Sequence, residues 1–122
     1  MQQALLLVSH GSRSAKANQE NRQMAEMLRQ KSGLSVVEYA FLEIAEPSIP
    51  AGIEACVRQG AGEIFVLINF LNSGRHVTED IPALVDKARR KYPEIKFNLT
   101  PPIGKHSKIL DLFLELVDEA KS

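Results

Sequence analysis

The sequence predicts an α/β protein with a single doubly wound domain, in which a four-stranded parallel sheet of order 2-1-3-4 carries helices on both faces. Strand-like apolar runs alternate four times with helical patterns along 122 residues, and the connections between them are short. The apolar runs are nearly continuous, which is typical of strands buried on both faces. Parallel neighbours need crossover helices, and these crossovers are right-handed. We therefore expect residues 1–122 to form one domain.

The first β-α unit and the second strand have clear boundaries. A strand is predicted over Ala4–Ser9, where a continuous apolar run ends in His-Gly-Ser. A helical pattern runs from about Ser14 to Gln30, and Gly33 is a typical stop signal. Its apolar face consists of Ala17, Met24, Met27 and Leu28. The second strand is predicted over Val36–Phe41.

The middle of the chain continues the alternation. Ser48 is a candidate cap for the second helix, and Gly60 is a candidate end for it. The apolar positions of that helix are Ile49, Ile53 and Val57. Glu63–Phe70, which reads EIFVLINF, is the clearest central strand. Cys56, the only cysteine, lies in the helical pattern and is interpreted as a small buried hydrophobic residue.

The last two units follow the same pattern. Thr78 is predicted to cap the third helix, whose end is set by Tyr92-Pro93. Apolar residues of that helix are Ile81, Leu84, Val85 and Ala88. A fourth strand is predicted over Ile95–Leu99. The last helix carries Ile109, Leu110, Phe113, Leu116 and Val117.

Composition argues against several classes of function. Fifteen basic residues balance fifteen acidic residues, so there is no overall field to attract nucleic acid or an anionic membrane. The apolar run after Met1-Gln2-Gln3 is too short to be a signal peptide or to span a bilayer. We therefore expect a cytoplasmic protein that binds neither nucleic acid nor membrane.

The predicted topology brings two loops together. In flavodoxin-like folds of order 2-1-3-4, ligands bind outside the carboxyl ends of strands 1 and 3, where the chain reverses direction. The loop after strand 1 contains Ser9, His10, Gly11, Ser12 and Arg13, and the loop after strand 3 contains Gly74, Arg75 and His76. Each loop thus has a histidine, a glycine that permits close backbone approach and an arginine that can pair with an anionic group.

Histidine is the commonest metal ligand among protein side chains, so His10 and His76 are interpreted as a pair of metal ligands. Two imidazoles leave most coordination positions of a divalent ion open, which allows the ion to be passed on. A single histidine that satisfies a nearby backbone group is the alternative interpretation, and we prefer it for His106, at the start of the last helix.

Two carboxylates follow strand 2 beside the same crevice. Glu43 is a candidate base. An equally weighted alternative is that its charge complements the dipole of the following helix, a role that suits Glu46 better. Ser9, Ser12 and Ser73 lie near histidines, but the sequence has no Gly-x-Ser-x-Gly elbow, so acyl transfer is disfavoured. The glycine spacing matches neither a Walker loop nor a dinucleotide fingerprint, which disfavours nucleotide binding.

Three motifs together resemble a known family. They are Leu-Leu-Val-Ser-His-Gly-Ser-Arg near the amino terminus, Phe-Leu-Glu-x-x-x-Pro after strand 2, and Phe-Leu-x-x-Gly-x-His-Val-x-x-Asp-Ile-Pro after strand 3. A Pro-x-Gly-x-His segment follows at residues 102–106. The combination is similar to the small sirohydrochlorin cobaltochelatases, which are class II, ferrochelatase-like chelatases.

This resemblance implies a lyase that inserts Co2+, or alternatively Ni2+ or Fe2+, into sirohydrochlorin without ATP or an organic cofactor. It implies cobalamin synthesis first, with siroheme and nickel tetrapyrrole synthesis as the alternative branches of porphyrin biosynthesis, and a homodimer that forms the substrate cleft. It places the metal on His10 and His76. Glu43 would remove a proton or orient a histidine. Arg13 and Arg75 would anchor the carboxylates of the tetrapyrrole, with a purely solvated arginine as an equally weighted alternative for each. A carrier of metal or tetrapyrrole and a binding module for a small anion are the competing hypotheses.

Overall fold

The parallel sheet has the predicted strand order. A computed structural model describes residues 2–121, with the side chain of His76 outside the description, and it contains a four-stranded sheet of order β2-β1-β3-β4. All three strand pairs are parallel. In the centre of the sheet Val8 of β1 aligns with Ala40 of β2 and Ile68 of β3. The predicted doubly wound α/β architecture is confirmed.

The strands and helices alternate along the chain. The strands are β1 (Gln3–Ser9), β2 (Val36–Phe41), β3 (Glu63–Ile68) and β4 (Lys96–Pro102). The α-helices are α1 (Ala15–Ser32), α2 (Ile49–Arg58), α3 (Ile81–Lys91) and α4 (Ile109–Ala120). A π-helical turn, His76–Asp80, precedes α3, and a 3-10 turn, Ile103–Lys105, follows β4. None of the helices in residues 2–121 is long and apolar enough to cross a membrane.

Side-chain caps begin the first two helices, and the sequence predicted the cap of the second. The hydroxyl of Ser14 accepts a hydrogen bond from the Ala17 amide, and that of Ser48 accepts one from the Ala51 amide. Gly33 closes α1 in the left-handed conformation with φ of 73°. Each cap satisfies backbone groups that the helix itself leaves unpaired.

The predicted cap at Thr78 is wrong. Its hydroxyl donates instead to the carbonyl of Gly74 at 3.2 Å, and its amide donates to the same oxygen at 3.0 Å. The chain is already helical at this point, because the π-helical turn runs directly into α3. Thr78 therefore lies inside a helical turn, where a hydroxyl bonds backward to a carbonyl instead of forward to an amide.

Two strand ends differ from the prediction. β3 stops at Ile68, so Asn69 and Phe70 belong to the loop, and β4 continues to Pro102. The end of α2 agrees with the prediction, because Gln59 is its C-cap and Gly60 follows directly with φ of 93°. Apolar periodicity does not reveal where β3 ends, because Phe70 is as apolar as the strand before it.

The two faces of the sheet carry unequal cores. Alternate side chains of β1, beginning with Ala4, Leu6 and Val8, face α2 and α3 in a cluster that contains seventeen of the described buried residues. The opposite face, covered by α1, has only three described buried residues in its cluster, which are Leu7, Ala25 and Val37. The sheet is thus deeply covered on one face and thinly on the other.

Cys56 belongs to the large cluster and is fully buried. Burial, with a smaller effect from the charge of Glu38, raises the pKa of its thiol to about 12. The interpretation of Cys56 as a small core residue is confirmed.

Candidate functional site

The loops after β1, β2 and β3 are tied together at the carboxyl edge of the sheet. The Leu42 amide donates to the Ser9 carbonyl at 2.9 Å, and the Glu43 amide donates to the His10 carbonyl at 3.1 Å. The Asn69 amide continues the ladder to the carbonyl of Val8 at 2.9 Å. The parallel register of the sheet therefore extends into the loops and fixes the backbone on both sides of His10.

The side chains of His10 and Glu43 are in contact at the carboxyl edge of the sheet. His10 Nε2 lies 2.9 Å from Glu43 Oε1, and the two side chains are 46% and 47% exposed. The imidazole also meets the ring of Phe70 edge to face, with 6.1 Å between the ring centroids. The imidazole is thus oriented by a carboxylate on one side and an aromatic ring on the other, and both members of the pair remain half exposed to solvent.

A tight turn holds Glu43 in place. The Ala45 amide donates to the Glu43 carbonyl at 2.8 Å, and Ile44 between them has φ of 74°. These are the features of the rare, strained form of the γ-turn. Such a conformation in a β-branched residue is unusual and is found where surrounding structure enforces it.

Gly11 makes room for that turn. It has φ of 102°, and a Cβ atom at this position would overlap the carbonyl oxygen of Glu43. The sequence predicted that this glycine permits close backbone approach to a ligand. In the structure the close approach is to the neighbouring loop, so Gly11 acts on the site through the position of Glu43.

A network of amide side chains supports the first loop. Asn18 is buried, and its side chain makes two hydrogen bonds with the backbone of Ser12. Its Oδ1 accepts from the Ser12 amide at 3.0 Å, and its Nδ2 donates to the Ser12 carbonyl at 2.7 Å. The hydroxyl of Ser9, also buried, accepts a hydrogen bond from Asn69 Nδ2 at 3.1 Å. Asn69 Nδ2 reaches Asn21 Oδ1 at 3.3 Å as well. These contacts give Ser9 and Ser12 structural partners in the loop.

The sequence analysis did not single out Asn18 and Asn21 of α1. A signal was present, because Asn18 is seven residues before Ala25 and therefore shares its buried helix face. A polar side chain in that position must find a buried partner.

Arg22 of α1 is a third residue that sequence reasoning missed. Its guanidinium lies over the rings of Tyr39 and Phe41, 5.6 and 5.7 Å from their centroids, and donates to the Glu46 carbonyl at 3.4 Å. It thereby links α1 to the loop that carries Glu43. Spacing along the sequence gives no signal for this contact, because it depends on the packing of α1 against β2.

The second predicted histidine lies on the neighbouring loop. The backbone of His76 begins the π-helical turn after β3, and its side chain lies outside the described residues. π-Helical turns are rare and are frequent at functional sites. Since β3 pairs with β1, the sheet brings the loop of His76 beside that of His10, as the topology predicted.

The remaining predicted residues of the two loops are exposed or half-buried. Arg13 is exposed, and Arg75, 81% exposed, pairs with Glu79 at 3.2 Å. Gly74 has open space where a Cβ would lie, and its carbonyl accepts hydrogen bonds from the amides of Val77 and Thr78. Both guanidinium groups are therefore accessible to an anionic ligand at this edge.

His106 has the local role that the sequence analysis preferred. Its Nδ1 accepts a hydrogen bond from the Lys108 amide at 3.0 Å, just before α4. Glu46 is exposed and lies ahead of α2. Neither side chain has a described contact with Glu43 or His10.

The arrangement suits transient metal binding. A metal-binding histidine characteristically shares its second ring nitrogen with a carboxylate, which orients the ring and increases its basicity. Among the described side chains, which exclude that of His76, there is no cluster of three or more histidine, cysteine or acidic residues able to hold a metal. The described part of the site therefore offers one oriented imidazole on an open edge.

Comparison with known sequences finds relatives that are named sirohydrochlorin chelatases. The chain is 36% identical over 118 residues to the chloroplastic sirohydrochlorin ferrochelatase of Arabidopsis thaliana, covering 97% of this chain and 52% of that protein. It is 34% identical over 118 residues to the sirohydrochlorin cobaltochelatase of Sulfolobus acidocaldarius, covering 97% of this chain and 92% of that protein. The chain spans about half the length of several curated relatives that it matches.

Solved structures show the same fold. The cobalt complex of the sirohydrochlorin chelatase SirB from Bacillus subtilis subspecies spizizenii superposes with a TM-score of 0.87 at 37% identity, over 98% of this chain and 51% of that one. A CbiX protein from Marinobacter aquaeolei, described as a putative cobalamin biosynthesis protein, gives 0.81 at 26% identity, over 97% and 96% of the two chains. The CbiX family model matches residues 4–120, and the chain therefore belongs to the CbiX family.

Proposed function

We propose that this chain inserts a divalent metal ion into sirohydrochlorin without ATP, with Co2+ as the preferred substrate and Ni2+ or Fe2+ as alternatives. The observation that carries the proposal is the contact between His10 and Glu43, 2.9 Å apart on an open edge beside the loop of His76. Membership of the CbiX family and relatives named sirohydrochlorin chelatases support it.

The reaction requires a metal donor and proton acceptors on one face of the macrocycle. Two pyrrole N–H bonds break, two protons leave, and the ring nitrogens bind the ion. We assign His10 and His76 to holding the ion before transfer, since two neutral imidazoles bind it without enclosing it. Glu43 orients His10 and accepts a proton, and a histidine relieved of the ion is a second acceptor.

The rim of sirohydrochlorin carries carboxylates, for which Arg13 and Arg75 are the proposed anchors. A guanidinium can bind a carboxylate through two parallel hydrogen bonds. The backbone of Ser9, Gly11, Ser12 and Gly74 is proposed to line the substrate. The half-open edge then accepts a flat ring from outside the sheet.

We propose cobalt as the preferred metal because a relative whose length this chain nearly matches is named a cobaltochelatase. Iron is the competing metal, since relatives of about twice the length include proteins named ferrochelatases as well as one named a cobaltochelatase, and SirB has been solved with both cobalt and Fe3+. We propose cobalamin synthesis as the pathway and a cytoplasmic homodimer as the active form.

The test is to mix the protein with sirohydrochlorin and Co2+, Ni2+ or Fe2+ in separate reactions and to follow the absorption spectrum of the pigment. We expect the fastest acceleration over protein-free metal with Co2+. His10→Ala and His76→Ala should each remove the acceleration, and His106→Ala should retain it, because His106 is bonded within its own turn. A failure of every metal to react faster with protein would refute the enzyme assignment.

A non-catalytic carrier predicts a different outcome of the same experiment. It would bind cobalt and pigment, and lose cobalt in the histidine variants, without changing the rate of insertion. A binding module for a small anion would be unaffected by either histidine substitution. Equilibrium cobalt titrations, run beside the rate measurements, distinguish the three functions.

A further inference from the structure

The central strand pair of the sheet separates at its carboxyl end. The Asn69 amide donates to β1 at 2.9 Å, and beyond this bond the described backbone hydrogen bonds of the two strand ends go to opposite sides. The His10 carbonyl accepts from the Glu43 amide of the loop after β2 at 3.1 Å. The Phe70 carbonyl accepts from the Gly104 amide, after β4, at 3.0 Å. A crevice therefore begins between His10 and Phe70, at the point where the strand order reverses.

Two side-chain contacts cross this crevice, one on each face of the sheet. On the α1 face, Ser9 Oγ accepts a hydrogen bond from Asn69 Nδ2 at 3.1 Å. On the other face, the rings of His10 and Phe70 meet edge to face with 6.1 Å between their centroids, and Phe70 packs against the large core cluster. Successive side chains of an extended chain point to opposite faces, so two neighbouring residues of each strand end make the two contacts.

Asn21 of α1 orients the amide of Asn69. Asn21 Nδ2 donates to the Ala17 carbonyl at 3.3 Å, which directs its Oδ1 toward the sheet, where it accepts from Asn69 Nδ2 at 3.3 Å. A primary amide has two N–H bonds, and those of Asn69 thus have one acceptor on α1 and one on β1. The side chain of Asn69 is thereby held in the direction that reaches Ser9.

The bond between Ser9 and Asn69 acts on both rings because of where the two residues lie in the chain. Ser9 directly precedes His10, and Asn69 directly precedes Phe70. The Ser9 hydroxyl is buried, and a buried hydroxyl that loses its partner either costs stability or moves to reach another one. Loss of the bond would therefore displace the residues next to both rings and open the crevice between them.

We infer that Asn69 is a positioning residue of the proposed metal site. Through Ser9 it fixes the width of the crevice, and through Phe70 it fixes the plane of the His10 ring. A ring held in one plane presents its nitrogens to a metal ion in one direction. The chain also leaves the sheet at Asn69 on its way to the backbone of His76, so the same bond sets the separation of the two histidine loops at their base. The role in metal binding rests on the proposed function, whereas the ring geometry does not depend on it.

The first test needs no metal. Nuclear magnetic resonance of the parent chain should show nuclear Overhauser contacts between the rings of His10 and Phe70. Asn69→Leu keeps a branched side chain but has no hydrogen to donate, so these contacts should be lost. The matched control is Asn98→Leu, which removes a 2.8 Å hydrogen bond to Glu63 near the amino end of β3 and should keep them. Unchanged ring contacts in Asn69→Leu, or their absence from the parent chain, would overturn the inference.

A double variant separates positioning from a general loss of stability. Asn69→Leu alone leaves Asn21 Oδ1 without this donor, whereas Asn69→Leu combined with Asn21→Leu replaces both polar groups by apolar ones, a change that can restore stability. In urea denaturation we expect the double variant to be more stable than Asn69→Leu. Its ring contacts should stay lost, because the bond to Ser9 is still absent. Ring contacts that return together with stability would mean that Asn69 only supports the fold.

Cobalt binding then tests the consequence for the site. Asn69→Leu and the double variant should bind Co2+ about threefold to tenfold more weakly than the parent chain, a smaller loss than the roughly tenfold to hundredfold typical of a group bonded to the metal ligand itself. The visible absorption spectrum of bound Co2+ should also change, because it depends on the ligand geometry. Asn98→Leu should match the parent chain in both measurements. Unchanged affinity and spectrum in Asn69→Leu would remove Asn69 from the metal site.

Failure of the proposed function gives a different result. A parent chain that binds Co2+ without accelerating its insertion into sirohydrochlorin refutes the enzyme assignment, while an altered cobalt spectrum in Asn69→Leu still supports the positioning role. If the parent chain binds no Co2+, the proposed function fails and the metal-free ring contacts alone decide the inference. If the parent chain is active and Asn69→Leu equals it in ring contacts and cobalt spectrum, the enzyme assignment stands and the positioning role is refuted.

Discussion

Gly11→Ala is the sharpest test of how the site is built. The residue has φ of 102°, and a left-handed backbone costs a residue with a Cβ about 1–2 kcal/mol. The added methyl group would also overlap the Glu43 carbonyl, and relief of such overpacking costs about 1–3 kcal/mol more. A smaller unfolded-state entropy offsets about 0.5 kcal/mol. We expect a total loss of about 2–4 kcal/mol in the free energy of unfolding.

The matched control is Gly33→Ala, which has φ of 73° but no atom within 4 Å of the new Cβ. It should lose about 1 kcal/mol, because only the backbone term applies. Urea denaturation measures both variants, and cobalt titration should show weaker binding in Gly11→Ala alone, since only this change displaces the carboxylate beside His10. Equal destabilisation of the two variants, with cobalt affinity unchanged, would refute the role of Gly11 in positioning Glu43.

Three further predictions address other parts of the molecule. Glu43→Gln retains an oxygen toward His10 but removes the charge and the proton acceptor, so cobalt affinity measured by calorimetry should fall by about tenfold to a hundredfold; an unchanged affinity and insertion rate would exclude the carboxylate from both roles. Cys56, with a pKa of about 12 and full burial, should react with a thiol reagent at pH 8 only after unfolding in urea, and immediate labelling of the native protein would contradict its burial. Gly104→Ala would overlap the backbone of Leu71 and should cost about 1–3 kcal/mol in urea denaturation, whereas a neutral effect would mean that the two loops are not in close contact.

The strands and their order could be predicted because they depend on apolar runs and on general rules of chain topology. β2 lies where its apolar run predicts it, and the predicted Ser48 cap follows from local hydrogen-bonding chemistry. The meeting of the loops after β1 and β3 followed from the same topology. These features are encoded by residue types that are close together in sequence, or by rules that hold for parallel sheets in general.

The details of the site depend on contacts between loops and were not predictable in the same way. A β-branched residue disfavours positive φ, so nothing in the sequence indicates the turn at Ile44. The π-helical turn at His76 likewise has no compositional signal. Gly11 was identified as permissive, but the carbonyl that it accommodates belongs to another loop. The apolar pattern of α4 correctly predicted a helix, yet periodicity alone did not indicate that its large apolar side chains are exposed in this chain.

The position of Glu43 constrains how metal and proton can move in the proposed reaction. If the ion binds His10 through Nδ1, the carboxylate stays on Nε2 and acts by orienting the ring. If the ion binds Nε2, it must displace the carboxylate, which then becomes available to take a pyrrole proton as the metal arrives. In the second case the arrival of the metal itself creates the base. Because the Glu43 amide is bonded to the His10 carbonyl, the displaced carboxylate can move only within the reach of its own side chain and stays beside His10. In either route both loops are required for the proposed reaction, because His10 and Glu43 act through their contact with each other.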